Sequence, residues 1–384
     1  MVLLLWSTVF LMVACGVPTF ARAQELPGDL HMEVALRVLS TAPLIDGHND
    51  LPWRIRNHEP APMDVRAYGV EGRMGGHTDI PRLREGRVGG QFWSVYVSIE
   101  FIEEGVASRT QLEQIEIALE LFREYPEHFE LARTAADVER IFEEGRIASM
   151  LGMEGGHVIE NSLGTLRAFY ELGARYMTLT HSASLDWAGS SEGSPANGLT
   201  EFGREVVREM NRLGMLVDLS HVSDATMSDA LDVTQAPVIF SHSSARTLTK
   251  HHRNVPDSIL NRLPANGGLI MIAFYPPFVS EGETAQLADV ADHIDYVKTL
   301  IGVDHVGLGS DFDGIPVVAE GLEDVSKYPV LIAELSRRGW AESELRKLAG
   351  ENVLRVMREA ESVARRLKRE SPPSAVRIED MFGR

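Results

Sequence analysis

The chain reads as a single α/β domain, a (β/α)8 TIM barrel with long βα loops. Three observations predict this. First, four segments climb through apolar residues and stop at a metal-binding side chain. Leu44-Ile45-Asp46-Gly47 ends at His48 and Asp50, and the run from Ile147 to Met153 ends at Glu154. Met215 to Ser220 ends at His221, and Pro237 to Ser241 ends at His242. Second, near-continuous apolar runs alternate with helical patterns along most of the chain. Third, 384 residues suffice for one barrel with insertions.

Eight strands are predicted, at 43–48, 90–98, 146–153, 175–180, 215–220, 237–241, 268–273 and 305–310. Most are apolar throughout, as expected for a parallel sheet buried on both faces. Helical stripes lie between them. Leu112, Ile115, Leu119 and Phe122 share one face, as do Leu287, Val290, Ile294 and Val297. Phe202, Val206, Met210 and Leu213 form a third stripe, with Thr200 placed as N-cap and Gly214 just past the end. Strands alternating with helices imply βαβ units, and eight of them imply closure. The segments 53–89 and 182–198 are rich in turn-forming residues and read as loops shaping a pocket.

Composition is that of an ordinary globular protein, at 44% hydrophobic and 24% charged residues. A formal net charge of -19 argues against nucleic acid or an anionic membrane surface as partner. A modest basic stretch at 365–369 reads as a solvated helix face. The N-terminus differs from the rest. Val2 to Val13 is apolar except for Ser7 and Thr8, and Ala21-Arg22-Ala23 supplies a cleavage pattern. Residues 1–23 are therefore expected to be a secretory signal, with 24–384 as the mature barrel, exported to a periplasmic or extracellular location. The sole cysteine, Cys15, lies in that segment. Membrane attachment by lipidation at Cys15 is a second reading, and the mature chain would carry no disulfide. The C-terminal residues show no hydrophobic tail for another anchor.

His48-Asn49-Asp50 pairs an imidazole with a carboxylate at a spacing that lets both face one centre. The set suits zinc or a similar divalent ion. Read alone, Asp50 could equally cap a helix, and His221 or His242 could be hydrogen-bonded core residues. Glu154 is a stronger signal. A carboxylate ending a buried strand and followed by Gly155-Gly156 is costly unless paired or metal-bound. Five donors exceed what one tetrahedral zinc with an open position requires. They suit two ions sharing a carboxylate and bridging a hydroxide. His181, closing another strand, could steady an oxyanion. Asp311 could shuttle a proton to a leaving amine, or serve as a structural carboxylate. Arg253 could clamp a substrate carboxylate, although by itself it reads as a surface salt-bridge residue.

The motifs Leu44-Ile45-Asp46-Gly47-His48-Asn49-Asp50-Leu51-Pro52, Glu154-Gly155-Gly156, Leu179-Thr180-His181-Ser182, Asp218-Leu219-Ser220-His221, Phe240-Ser241-His242-Ser243 and Gly309-Ser310-Asp311-Phe312-Asp313-Gly314 resemble the membrane (renal) dipeptidase family. The resemblance covers essentially all of the mature chain, with the motifs in the family's order. It implies an amidohydrolase-like (β/α)8 dipeptidase with two Zn2+ per chain. His48, Asp50 and Glu154 would hold one zinc, and Glu154, His221 and His242 the other. His181, Arg253 and Asp311 match substrate-binding and catalytic positions. A homodimer is also implied. Mammalian members carry disulfide cysteines and a C-terminal lipid-anchor signal, which this chain lacks. Residues 185–190 follow the family pattern only in part.

The expectation is thus an exported dizinc dipeptidase that hydrolyses the peptide bond of dipeptides by a metal-bridging hydroxide. A second reading is a related metal-dependent amidohydrolase acting on cyclic amides or β-lactam-like rings. Those relatives usually open with His-x-His rather than His-x-Asp. A third is an exported solute-binding protein keeping a metal for structure. It would need two lobes, whereas the chain shows one continuous βα series.

Overall fold

A computed structural model describes residues 29–73, 75–195 and 197–381. The expected signal segment and Cys15 lie outside the described residues. Nine strands form in chain order: β1 (Leu44–Asn49), β2 (Val88–Ser94), β3 (Phe129–Leu131), β4 (Ile147–Glu154), β5 (Ala174–Thr178), β6 (Leu216–Asp218), β7 (Val238–Ser243), β8 (Leu269–Ile272) and β9 (Val306–Leu308). All pairings are parallel. The ladder runs β2-β1-β9-β8-β7-β6-β5-β4 and returns to β2, closing an eight-stranded barrel. Closure rests on the β2–β4 register, from Gly90 opposite Ala148 to Ser94 opposite Gly152.

The short β3 was not expected. It pairs with the first residues of β4, Phe129 opposite Ile147 and Leu131 opposite Ser149. The neighbour β5 pairs only from Leu151 onward, so β3 occupies the ladder edge that β5 leaves open. Strand β2 also ends earlier than expected. Val95 donates to Gly152 O and the chain then leaves the ladder towards the mouth.

Apart from the short β3 and Arg175 of β5, the strands are buried on both faces, and two apolar layers result. Inward residues two apart, such as Ala148 and Met150 or Leu269 and Met271, belong to one buried cluster with Ile45, Phe92, Tyr176, Leu216 and Ile239. Val353, Leu354 and Met357 of the helix Asn352–Glu370 join that cluster and floor the barrel. The larger cluster lies between strands and outer helices.

Those helices follow from local signals. In Glu201–Leu213, the Thr200 side chain accepts from Gly203 N, and Gly214 at φ +88° ends the helix in the left-handed region. Its stripe Phe202, Val206, Met210 and Leu213 is buried as expected. The helix Leu287–Ile301 buries Val290, Ile294 and Val297. The helix Ala107–Glu124 departs from expectation: Leu112 is 47% exposed, and Gln111 and Gln114 are buried instead. The Gln111 amide donates to Val95 O where β2 leaves its ladder, and this rotates the helix. Among the described residues no helix is long and apolar enough to cross a membrane.

The segment 53–89 is partly helical, with Leu51–Arg56, Val65–Tyr68 and Ile80–Glu85. It still supplies Trp53, Arg54, Asn57, His58, Glu59 and Tyr68 to the wall of the mouth, as a pocket-shaping excursion should.

Candidate active site at the carboxyl ends of the strands

The eight site residues nominated from the sequence surround one cavity of ≈ 860 Å³ or its floor. His48 lies in β1 with Asp50 just beyond it, Glu154 ends β4, and His242 lies in β7. His181, His221 and Asp311 each follow a strand by three residues, after β5, β6 and β9. Arg253 comes from the loop joining β7 to β8. This is the carboxyl face of the barrel, where long loops leave room for chemistry.

Local backbone geometry aims several of these groups. His221 and Asp311 adopt φ of +67° and +68°, in the left-handed region. That conformation costs about 1 kcal/mol or more for a non-glycine residue, so the surrounding fold must impose it. Gly155, at φ +111°, lets the chain turn immediately after Glu154; a Cβ there would lie 2.4 Å from the His157 ring. At Gly156 a Cβ would lie 2.5 Å from Leu179 O and 2.6 Å from the Trp187 ring. The two glycines therefore serve both the turn and the close approach of β5 and its following loop.

The donors converge on Glu154. Its Oε2 is 3.5 Å from His48 Nε2, which is 3.2 Å from Asp50 Oδ2. Its Oε1 is 3.0 Å from His221 Nε2, 3.4 Å from His242 Nε2 and 3.8 Å from His181 Nε2. The His221 and His242 Nε2 atoms are 2.9 Å apart. One carboxylate oxygen thus faces the His48 and Asp50 side, and the other faces the histidines of β6 and β7. Asp50 occupies the N-cap position of Leu51–Arg56 without a capping bond from its side chain, so capping does not account for its carboxylate.

Neighbouring side chains direct the ring nitrogens. Tyr176 Oη donates to Gly47 O at 3.2 Å, so it accepts from His48 Nδ1 at 2.9 Å. Ser241 Oγ donates to Asp218 Oδ2 at 2.6 Å, so it accepts from His242 Nδ1 at 2.8 Å. Both rings thus commit Nδ1–H to a neighbouring oxygen and turn Nε2 towards Glu154. The His48 Nε2 and Asp50 Oδ1 atoms are buried without a hydrogen-bond partner among the described residues.

The histidines divide electrostatically. Burial first, then Arg253 and neighbouring histidines, hold His221 and His242 well below the ordinary imidazole pKa, leaving them neutral. Burial pushes the Glu154 carboxyl up, but His48 and His221 beside it more than offset this and hold it well below its usual range. Burial pushes Asp311 up to about 8, with Asp50 and Glu154 adding to the effect. His221 and His242 held neutral, Glu154 held ionised and ring nitrogens gathered on that one carboxylate fit a metal site of borderline N/O type. Burial alone would lower the His48 pKa, but Tyr176, Glu154 and Asp50 draw it well up. Three overlapping triads have donor atoms within 4.8 Å of one another: His48, Asp50 and Glu154; Glu154, His181 and His221; His48, His242 and Asp311.

Arg253 is buried rather than a surface salt-bridge residue, being 2% exposed. Its guanidinium lies over the Phe278 ring at 5.2 Å, and Nη1 has no partner among the described residues. His181 stacks obliquely on His221 with centroids 4.2 Å apart and packs on Tyr96 at 4.8 Å.

Several contributors went unnoticed in the sequence. Tyr176 and, acting through Ser241, Asp218 direct the ring nitrogens as described. Tyr96, Glu192, Tyr275 and Phe278 line the cavity, as do Arg54 and Asp313, whose charged atoms lie 3.7 Å apart. For Asp46 and Asp218 a signal existed: a carboxylate inside an apolar strand is costly unless something satisfies it.

Residues 32–371 match the family model of membrane dipeptidase, peptidase family M19. The crystal structure of dipeptidase AC, an M19 metallopeptidase, is 30% identical, with 83% of this chain and 99% of that chain covered at a TM-score of 0.77. A metallopeptidase from Rhodobacter sphaeroides, liganded with a phosphinate mimic of the dipeptide L-Ala-D-Ala, is 29% identical over 83% of this chain and 99% of that one, at TM-score 0.74. The PvdM protein of Pseudomonas aeruginosa, 22% identical, shares the fold at TM-score 0.80 over 88% of this chain and all (100%) of that one. A closed barrel, a metal-fitting cluster at its mouth and these likenesses agree: the chain belongs to the membrane dipeptidase family, peptidase family M19, and is a dipeptide-hydrolysing metallopeptidase.

Proposed function

We propose that this protein is an exported dizinc dipeptidase. The observation that carries the two-ion reading is the divided carboxylate of Glu154. Its Oε2 faces His48, and its Oε1 faces His221 and His242. His48, Asp50 and Glu154 would hold one zinc, and Glu154, His221 and His242 the other. Bound metal supplies Lewis-acid polarisation of a carbonyl and lowers the pKa of a water.

The chain's own residues do the rest. Arg253 binds the substrate's free carboxylate, for which its unpartnered Nη1 and buried setting are suited. This accounts for selection of short peptides, since a carboxylate read at a fixed depth limits the length of chain beyond the scissile bond. His181, with its pKa lowered by burial, offers an N–H to the oxyanion as a neutral ring. Asp311 carries a proton to the departing amine. Glu154 orients both halves of the donor set.

Residues 1–23 are proposed as the export signal, and lipidation at Cys15 is the alternative fate of that segment. A homodimer is part of the same reading. The Rhodobacter protein's phosphinate complex supports the dipeptide as substrate class here too. The deciding experiment is metal analysis of the purified protein together with hydrolysis of a dipeptide panel and of cyclic amides, before and after chelation. Two zinc per chain and chelation-sensitive dipeptide cleavage are expected. One ion per chain, or preference for cyclic amides, sinks the reading.

A further inference from the structure

The loop that follows His181 brings a carboxylate to the buried arginine. Glu192 lines the cavity, and its Oε1 is 4.0 Å from Arg253 Nε and 3.8 Å from His252 Nε2. Its position is anchored. The Glu192 amide donates to Ser190 Oγ at 3.2 Å, and that hydroxyl donates to His181 O at 2.5 Å. Ser191 N also donates to His221 O at 2.8 Å. The next residue, Gly193, runs so close to Ser184 that a Cβ would lie 2.3 Å from Ser184 N. Glu192 is thus carried by a turn pinned to the loops that present His181 and His221.

At 4.0 Å the Glu192 carboxylate approaches the guanidinium without a hydrogen bond of normal length. Nη1 of Arg253 remains without a partner among the described residues. Glu192 therefore biases the field around the arginine without saturating its fork, and a second carboxylate can still dock there. The residue bearing that carboxylate has its own side chain starting two bonds away, about 2.5 Å from the carboxylate carbon. That side chain must lie in the field of Glu192.

We propose that Glu192 sets the charge selectivity of the cavity for the C-terminal residue of the substrate, accepting neutral or cationic side chains and rejecting acidic ones. This rests on the reading that Arg253 holds the substrate's carboxylate. The Glu192 side chain is 38% exposed, so solvent weakens the effect. A like charge brought within about 5 Å of Glu192 in this partly solvated site corresponds to about tenfold in relative kcat/KM.

The test is kcat/KM for Ala-Lys, Ala-Ala, Ala-Asp and the amide of Ala-Ala, using zinc-loaded wild type, E192Q and E192K. Wild type is expected to favour Ala-Lys over Ala-Asp. E192Q should lower that ratio about tenfold and E192K should lower it further. A ratio that moves by less than about twofold in both variants, while Ala-Ala is still preferred over its amide, overturns the role of Glu192 alone. Loss of the preference for free Ala-Ala over its amide in wild type strikes the Arg253 reading instead, and this inference with it.

Discussion

Asp218 holds Ser241 at both ends of the residue: its Oδ1 accepts the Ser241 backbone N–H at 2.8 Å and its Oδ2 the hydroxyl at 2.6 Å. Asp46 does the same to Ser310, at 2.8 and 2.7 Å. Each serine immediately precedes a site residue, His242 in one case and Asp311 in the other. Two buried aspartates one strand away therefore fix the positions of those groups. The remaining acceptor capacity is used as well. Thr178 donates to Asp218, and Gln91 and Tyr328 donate to Asp46. These hydrogen bonds offset much of the cost of burying the two carboxylates inside the barrel, although burial still pushes the Asp46 pKa up.

The Asp218–Ser241–His242 chain should show in metal affinity. Ser241→Ala removes the partner of His242 Nδ1, and Asp218→Asn disturbs the serine that provides it. We predict a fall of about 10–100-fold in zinc affinity for either variant, measured by competition with a chelating dye. Tyr176→Phe should act similarly on His48. Unchanged affinity in all three would show that these contacts do not orient the rings.

Arg253 and Asp311 should separate kinetically. Arg253→Ala is predicted to raise KM for a dipeptide about a hundredfold with less effect on kcat. Asp311→Asn is predicted to lower kcat by about 10²–10⁴ with KM little changed. Steady-state kinetics on metal-loaded variants decide between these outcomes. Equal and negligible effects of both would refute the assignment.

Glu154 should be indispensable to both halves of the centre. Glu154→Gln is predicted to bind less than one zinc per chain under conditions where the proposal expects two for wild type, measured by elemental analysis of dialysed protein. Removing metal from wild type should also lower its melting temperature. At a ligand concentration 100 times Kd, binding to the folded state alone contributes about 2.7 kcal/mol. A full metal complement in Glu154→Gln contradicts the shared-ligand arrangement.

Glu209 gives a pH-dependent prediction away from the site. It is 2% exposed and bonded to Arg167 at 3.0 Å and to Arg212 at 2.8 Å, and it receives the Ser374 amide of the C-terminal tail. Burial alone would raise its pKa, but the two arginines outweigh burial and depress it. A depressed carboxylate stabilises the fold above its unfolded pKa of about 4.3, and that contribution disappears as pH falls through the folded value. Glu209→Gln should therefore cost about 1–3 kcal/mol near neutral pH, with the gap to wild type shrinking below about pH 4. Denaturant melts at several pH values test this, and a gap that widens on acidification counts against it.

The apolar runs of the strands, the donor types at their ends and the capping signals of Glu201–Leu213 were legible in the sequence. Each is a local consequence of chain chemistry. A strand buried on both faces must be apolar along its length, and a helix must satisfy its first amides. Family motifs added the grouping of His48, Asp50, Glu154, His221 and His242, which spacing alone left open. Leu112 was misplaced, because an apolar stripe on one face does not reveal that Gln111 is drawn inward by Val95 O. The edge strand β3 escaped notice because only three residues pair, on ladder positions that β5 happens to leave free. Which oxygen of Glu154 faces which histidines, how Asp218 reaches His242 through Ser241, and how Glu192 comes beside Arg253 were decided by the tertiary structure alone. Those relations join residues up to about a hundred positions apart, and only closure of the barrel sets their distances and directions.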